Sequence, residues 1–429
     1  MNKRGKDFRE NYLNEIIQTI EDEKFVNDSR TAYGRKGFTR TRKLTFAHLI
    51  ILLVQGLSRS IQRELNSFYQ KLQDEAFSLQ FIAKSSFTKA RAKLNYTAFI
   101  ELNKKGIANF YRNAPYQKWH GWRLLAIDGS TAVLPNSKDI VTVFGSTAFG
   151  PKAQSLRSVI RCSVLYDVLN LTVLDAQLDR YAASERTLAR RHFENIEPSS
   201  DLILFDRGYP GFDFMYDMQH AGIHYLVRLT ENWWLEVRKM IAAGQTDKIV
   251  DLRTSKGQTF PCRLIAVPLP DGATEVLCTN LLNKKKYPAG LFKDLYRKRW
   301  NIEEGYKLFK SRIQLEAFSG KTALSIQQDF FAKIFMMTTA AVLAFPIEEK
   351  IKREQLTSDR KHSYKVNRTN SVAAIKDNFW ALIWKKMIRP GLKAIDDILT
   401  KTTEIIRPGR SNPRKKIKKK PPSSNYKHL

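Results

Sequence analysis

The run Leu202-Ile203-Leu204-Phe205, followed at once by Asp206-Arg207-Gly208, constrains this chain more than any other segment. Four consecutive apolar residues in a strand put hydrophobic side chains on both faces, so the strand must lie in a sheet covered on both sides. The carboxylate that ends it then stands at the edge of that sheet. Residues 123–127 repeat the arrangement, a short apolar strand closed by Asp128-Gly129. Singly, each is an ordinary turn signal, because Asp-Gly is a favoured turn dipeptide. Together they bring two carboxylates to the ends of buried strands, where a third from a nearby helix completes an oxygen-ligand site for a divalent cation.

The surrounding pattern puts both strands in one α/β core. β-rich runs cover 123–127, 159–166 and 171–178, and Ser184-Glu185-Arg186-Thr187-Leu188 then opens a helix. Strand 202–205, helix 211–220 and strand 225–229 follow. This is the element order of an RNase H-like core, a mixed sheet with acidic residues at strand ends. Alternating runs at 262–267 and 275–279, joined by Pro-Leu-Pro-Asp-Gly, predict a β-rich module inserted into that core over 230–287. A long helix is expected over 290–313.

Ahead of the core, apolar residues at three and four spacing across 44–57 and 87–102 predict a small helical domain. Its Ser-capped segment 85–94 carries Lys89, Arg91 and Lys93, a candidate DNA-contacting face whose plain alternative is a solvated basic surface. Overall charge points the same way: 73 Lys and Arg against 42 Asp and Glu give +31, a field that attracts polyanions. The apolar stretches at 44–57 and 334–345 are too short to cross a bilayer and read as buried helices, so no membrane partner is expected. The first ten residues are charged from Lys3 and carry no apolar leader segment, which predicts a cytoplasmic protein.

Other signals lead nowhere. Cys162, Cys262 and Cys278 are too widely spaced for a disulfide framework or a zinc site. His220 and His224 are four apart, but Gly222 breaks the helix that would pair them. Gly145 to Lys152 has the glycine spacing of a P-loop, yet Pro151 precedes the lysine and no Ser or Thr follows it, so no nucleotide cofactor is expected.

The third carboxylate comes from the helix after the insertion. At about 100° per residue with Tyr296 at zero, Arg299 falls at roughly 300°, Glu303 at roughly 340° and Lys310 at roughly 320°. All four share one narrow polar edge, beside an apolar stripe of Leu295, Ile302, Phe309 and Ile313. An ordinary amphipathic helix with a solvated side has the same pattern. A glutamate flanked by two cations, however, suits a site where a carboxylate holds a metal and cations hold a phosphate. Glu304 points about 100° away, which favours Glu303.

Tyr296, Arg299, Glu303 and Lys310 match, at every spacing, the Tyr-Arg-Glu-Lys signature of the insertion sequence four family of DDE transposases. Residues 127–130 and 204–209 also resemble that family's first and second aspartate regions, and 163–170 the strand between them. The resemblance implies catalytic, metal-holding carboxylates at Asp128, Asp206 and Glu303, and cut-and-paste transposition through hairpin-ended intermediates. It implies two divalent ions per site, Mg2+ with Mn2+ able to substitute. Tyr296, Arg299 and Lys310 would contact DNA near the cleaved end, with Arg207 beside the second aspartate among the DNA-binding residues. In some members a tryptophan of the insertion stacks on a flipped base, for which Trp233 or Trp234 is the counterpart, against the plainer reading of core packing. The partners expected are the element's terminal repeats and target DNA, bound by a homodimer.

The chain is thus expected to run as an N-terminal arm (1–38), a helical DNA-binding domain (39–118), the first part of the core (119–229), the β-rich insertion (230–287), the second part of the core (288–345), a helical region (346–406) and a basic disordered tail (407–429). Two other functions fit the same composition. One is a basic DNA-binding protein descended from a transposase without catalysis. The other is a nuclease on the same fold.

Overall fold

In the computed structural model, which describes residues 7–34, 36–40, 42–149, 155–230, 234–269, 272–311, 316–357 and 362–406, the strands in chain order are β1 (Arg123–Val133), β2 (Thr147–Phe149), β3 (Ser155–Arg157), β4 (Val159–Asp167), β5 (Val173–Arg180), β6 (Asp201–Phe205), β7 (His224–Leu229), β8 (Asp247–Arg253), β9 (Thr259–Pro268), β10 (Thr274–Thr279), β11 (Tyr364–Val366) and β12 (Thr403–Ile405). Eight of them form one mixed sheet in the order β5-β4-β1-β6-β7-β10-β9-β8. The apolar run is β6, with Leu202, Ile203, Leu204 and Phe205 each 0% exposed. β1 and β6 are parallel neighbours, as are β6 and β7. Parallel pairing needs crossover connections, supplied by the helices Glu185–Arg191 and Phe212–His220.

The β-rich insertion is not a sheet of its own. β10 pairs antiparallel with β7, β9 with β10 and β8 with β9, so the three strands continue the main sheet. They cover the row of backbone groups that β7 would otherwise present as an open edge. β8 was not anticipated from the sequence. Its burial alternates only at its end, where Val250 and Leu252 are buried between the exposed Ile249, Asp251 and Arg253.

The chain divides into two compact units. One comprises Tyr116–Ser130 and Arg161–Tyr306 and holds β5 to β10, most of β4, and β1 as far as Ser130, which includes Asp128. The other comprises Met1–Pro115, Thr131–Ile160 and Lys307–Leu429 and is mainly helical. Its central helix, Ala323–Leu356, is 34 residues, longer than the apolar stretch suggested, and is long and apolar enough to cross a membrane by length and composition. However, 89% of its apolar window is buried inside the protein, as in a core helix. The expected N-terminal arm is also part of this core. Residues Phe8–Glu21 are helical, Tyr12, Leu13 and Ile16 are fully buried, and the Tyr12 hydroxyl shares a 2.9 Å hydrogen bond with Thr339. The proposed tail, 407–429, lies outside the described residues, as do Gly150–Lys152 of the P-loop-like stretch.

The long helix expected over 290–313 is two helices, Leu291–Arg297 and Trp300–Ser311. At the junction the amides of Lys298, Arg299, Asn301 and Ile302 each donate to the carbonyl three residues earlier. Such a tightened turn rotates about 120° per residue, compared with about 100° in an α-helix, which shifts Tyr296 relative to Glu303.

Candidate active site

Asp128 and Asp206 meet because their strands run parallel and in register. Arg123 lies opposite Asp201 and Ala126 opposite Leu204. Two steps further along each strand, the same register brings Asp128 level with Asp206, on chains about 4.8 Å apart. Each carboxylate is steadied by a backbone amide. Asp128 Oδ1 accepts from the Gly129 N–H at 2.8 Å, and Asp206 Oδ1 from the Gly208 N–H at 2.7 Å.

Glu303 joins them from the helix Trp300–Ser311, which three contacts dock within the same unit. The Tyr306 hydroxyl donates to the Asp128 carbonyl at 2.8 Å. Asn301 Nδ2 donates to the Val168 carbonyl at 2.8 Å. Gly305 lies against Tyr166, where a Cβ would come within 3.2 Å of the ring. Glu303 is three residues before Tyr306 and therefore on the same helix side, so the bond that ties Tyr306 to β1 also holds Glu303 toward Asp128. Neither Asn301 nor Tyr306 stands out in the sequence, since their roles depend on a strand more than 130 residues away.

The site is electrostatically unbalanced. Burial pushes the Asp128 carboxyl up to about 7. The Gly129 N–H pulls it down, Asp206 and Glu303 push it up, and Arg299 pulls it down. Arg299 is 8% exposed and its Nη2 contacts Glu303 Oε1 at 2.7 Å. Its guanidinium lies 5.6 Å from the centre of the Tyr296 ring and 5.9 Å from that of Trp300. Arg299 Nε and the buried hydroxyls of Tyr296 and Tyr209 have no hydrogen-bond partner among the described residues. Buried donors without acceptors are unfavourable by about 1–3 kcal/mol each, so they favour a bound group rich in acceptor oxygens.

The remaining sequence-assigned residues separate into three groups. Lys310, in the last turn of the Glu303 helix, Arg207 beside Asp206, and Lys89 are exposed, and Lys93 is half-buried. Arg91 and Trp234 are corrections. Arg91 is 6% exposed and its guanidinium is taken up by Asp329, Gln328, Ser319 and the Ser325 carbonyl, so it is no free DNA contact. Trp234 is 6% exposed, with its ring centroid 4.6 Å from that of Phe212, which is core packing and not an open stacking platform. Trp233 lies outside the described residues.

Residues 119–339, which take in all three carboxylates, match the family described as the transposase DDE domain. The chain belongs to the insertion sequence four family of DDE transposases. It is 26% identical over 252 residues to the transposase InsG for insertion sequence element IS4 of Escherichia coli strain K12, covering 54% of each chain. It is 27% identical over 194 residues to the putative transposase y4zB of Sinorhizobium fredii, covering 43% of this chain and 50% of that one. The putative transposase InsZ of Escherichia coli strain K12 is also 27% identical over 194 residues, covering 44% and 61%. The matched part thus spans about half the length of these relatives. A solved piggyBac transposase synaptic complex with hairpin DNA superposes with a TM-score of 0.47 at 8% identity, over 93% of this chain and 87% of that one.

DDE transposases generally use divalent metal ions. Among the described residues no three His, Cys, Asp or Glu side chains stand close enough together to hold one. All three carboxylates are engaged locally, Asp128 with the Gly129 amide, Asp206 with the Gly208 amide and Glu303 with Arg299. The donor set nevertheless fits such an ion. All three groups offer carboxylate oxygens, the ligands that hard divalent cations take. Asp128 is buried beside two further carboxylates with Arg299 as the opposing charge, a deficit that a cation would offset. Arg299 engages one of the two carboxylate oxygens of Glu303, Oε1.

Proposed function

We propose that this transposase cleaves DNA at the ends of its insertion element and joins those ends to target DNA, using Asp128, Asp206 and Glu303 on an RNase H-like core. The observation that carries the reading is the gathering of two register-matched aspartates and one helical glutamate in a single electrostatic field. The strand order β5-β4-β1-β6-β7, with β1, β6 and β7 parallel, supports the RNase H-like reading.

Asp128, Asp206 and Glu303 would hold divalent ions, with magnesium as the resident species and two ions the number that phosphodiester chemistry favours. Such ions supply Lewis-acid polarisation of the scissile phosphate and lower the pKa of an attacking water. In the nicking step water attacks phosphorus, the P–O bond to the element's end breaks, and a 3′-hydroxyl is freed. That hydroxyl attacks the opposite strand to give a hairpin end, and after resolution attacks target DNA. Arg299, once released from Glu303, offers its fork to a phosphate, and Lys310 and Arg207 offset charge on flanking phosphates. Tyr296, buried beneath Arg299, orients that guanidinium. Lys89 and Lys93 contribute to end binding, the element's terminal repeats and target DNA are the partners, and two copies pair two ends in the bacterial nucleoid.

The test is cutting of supercoiled and linear DNA carrying the element's ends, with magnesium or EDTA. Asp128→Ala, Asp206→Ala and Glu303→Ala should each lower cutting at least about 10³-fold, as when a member of a catalytic set is removed. Wild-type protein that binds the ends but leaves them intact in magnesium and manganese would turn the reading toward a non-catalytic DNA-binding protein.

A further inference from the structure

Both catalytic aspartates are followed by a glycine within two residues, at Gly129 and Gly208, and neither glycine takes a positive φ. Turn geometry therefore does not require glycine at either place. What both places share is a neighbour. A Cβ on Gly129 would lie 3.3 Å from Cγ and 3.4 Å from Oε1 of Glu185, and Glu185 supplies all three of its nearest atoms. A Cβ on Gly208 would lie 3.1 Å from Asp206 Oδ1 and 3.8 Å from Glu185 Oε2. One glutamate side chain thus crowds the Cβ position at Gly129 and lies within ordinary contact distance of that at Gly208.

Glu185 is held there from several directions. Its helix, Glu185–Arg191, starts at Ser184, whose hydroxyl accepts from the Thr187 N–H at 3.1 Å. Arg161 of β4 pairs with Glu185 Oε1 at 2.7 Å and also donates from Nε to the Tyr181 carbonyl at 3.3 Å. The next residue, Arg186, donates to the carbonyls of Tyr209 and Pro210 at 3.0 and 2.6 Å, clamping the loop that leaves Asp206. The Glu185 side chain is 41% exposed. An ion pair that exposed adds little to stability. The fold nevertheless holds this carboxylate close to the glycines that follow both aspartates, where the reaction would take place.

We propose that Glu185 is a fourth carboxylate of this active site, a positioning residue that packs against Gly129 and Gly208 and holds the two aspartates in their reacting arrangement. The inference rests on the transposase reading above. Glu185→Gln keeps the side chain's shape and its acceptor for Arg161 but removes the charge. Glu185→Gln should melt at the wild-type temperature and bind end DNA equally well, while kcat falls about 10–100-fold at unchanged KM, the range for residues that support a metal site. It should also reduce the rise in melting temperature that manganese alone produces, a readout that needs no turnover. Gly129→Ala provides a second variant that leaves Glu185 in place. It should slow cutting in the wild-type background and have no further effect in Glu185→Ala, where the added Cβ meets no carboxylate.

With Asp206→Ala as the inactive control, wild-type cutting that Glu185→Gln reproduces at full rate, with an unaltered manganese shift, overturns the role of Glu185 and leaves the transposase reading standing. Additive losses for Gly129→Ala and Glu185→Ala overturn it as well. A wild-type protein that cuts no DNA overturns both.

Discussion

Two buried arginines, one in each unit, make ion pairs of the same length and are used in opposite ways. Arg91 meets Asp329 at 2.7 Å, and Arg299 meets Glu303 at 2.7 Å. Around Arg91 the guanidinium is saturated, with Nε donating to Gln328, Nη1 to Ser319 and Nη2 to the Ser325 carbonyl and Asp329. The pair is closed on both sides, at 7% and 6% side-chain exposure. Arg299 is partnered through Nη2, its Nε has no acceptor among the described residues, and the Glu303 side chain is 27% exposed. A saturated guanidinium is a fixture of the fold, because any competing anion must first replace several good bonds. One with a spare donor and a half-open partner can exchange that partner for a phosphate. Burial alone does not separate the two; donor satisfaction does.

The largest effect should come from breaking the closed pair. Arg91→Ala leaves Asp329 buried without its cation, which should lower unfolding free energy by about 3–5 kcal/mol in a urea titration. A loss below about 1 kcal/mol accompanied by weakened DNA binding would return Arg91 to the DNA-contacting group and dissolve the contrast. The open pair should respond the other way. Arg299→Lys keeps the charge but loses the planar fork, so cutting at saturating DNA should fall about 10²-fold, as for loss of one preorganised donor. Its melting temperature should stay at the wild-type value. A large drop in stability with cutting preserved would make Arg299 structural too.

The same contrast explains what could be read from sequence. The buried strands were legible because continuous apolar runs such as Leu202–Phe205 have few other uses, and Asp206 was legible as the residue that ends one of them, whereas Asp128, expected at a strand end, lies midway along β1, which runs on to Val133. The helix junction at Lys298–Arg299 was not legible, because spacing rules assume one rotation per residue and the i to i+3 bonds alter it locally. Arg91 was placed on a DNA-contacting face because local composition treats arginine as a surface residue, and its partner Asp329 is 238 positions away. The helix Phe8–Glu21 did carry its signal, with apolar residues at 12, 13, 16, 17 and 20 on one face, but the charged Arg9, Glu10, Glu15 and Glu21 and the polar residues among them mask it. Glu185 had the weakest signal, since its meaning depends on two glycines whose neighbours appear only once the strands pair.

Lys310 should show the smallest effect and sharpen the distinction within the signature itself. It is exposed in the last turn of the Glu303 helix. An exposed ammonium acts on a phosphate as a screened point charge. Lys310→Ala should therefore weaken end binding several-fold, lower the dependence of log Kd on log salt by about 1, and leave cutting at saturating DNA unchanged. Arg299→Lys should do the reverse, slowing cutting with little change in affinity or salt slope. If Lys310→Ala instead slows cutting and leaves the salt slope intact, exposure has misled, and Lys310 acts with Arg299 at the reacting phosphate. An unchanged slope and unchanged rate together would put Lys310 off the DNA path, leaving Arg299 as the one signature cation that engages the substrate.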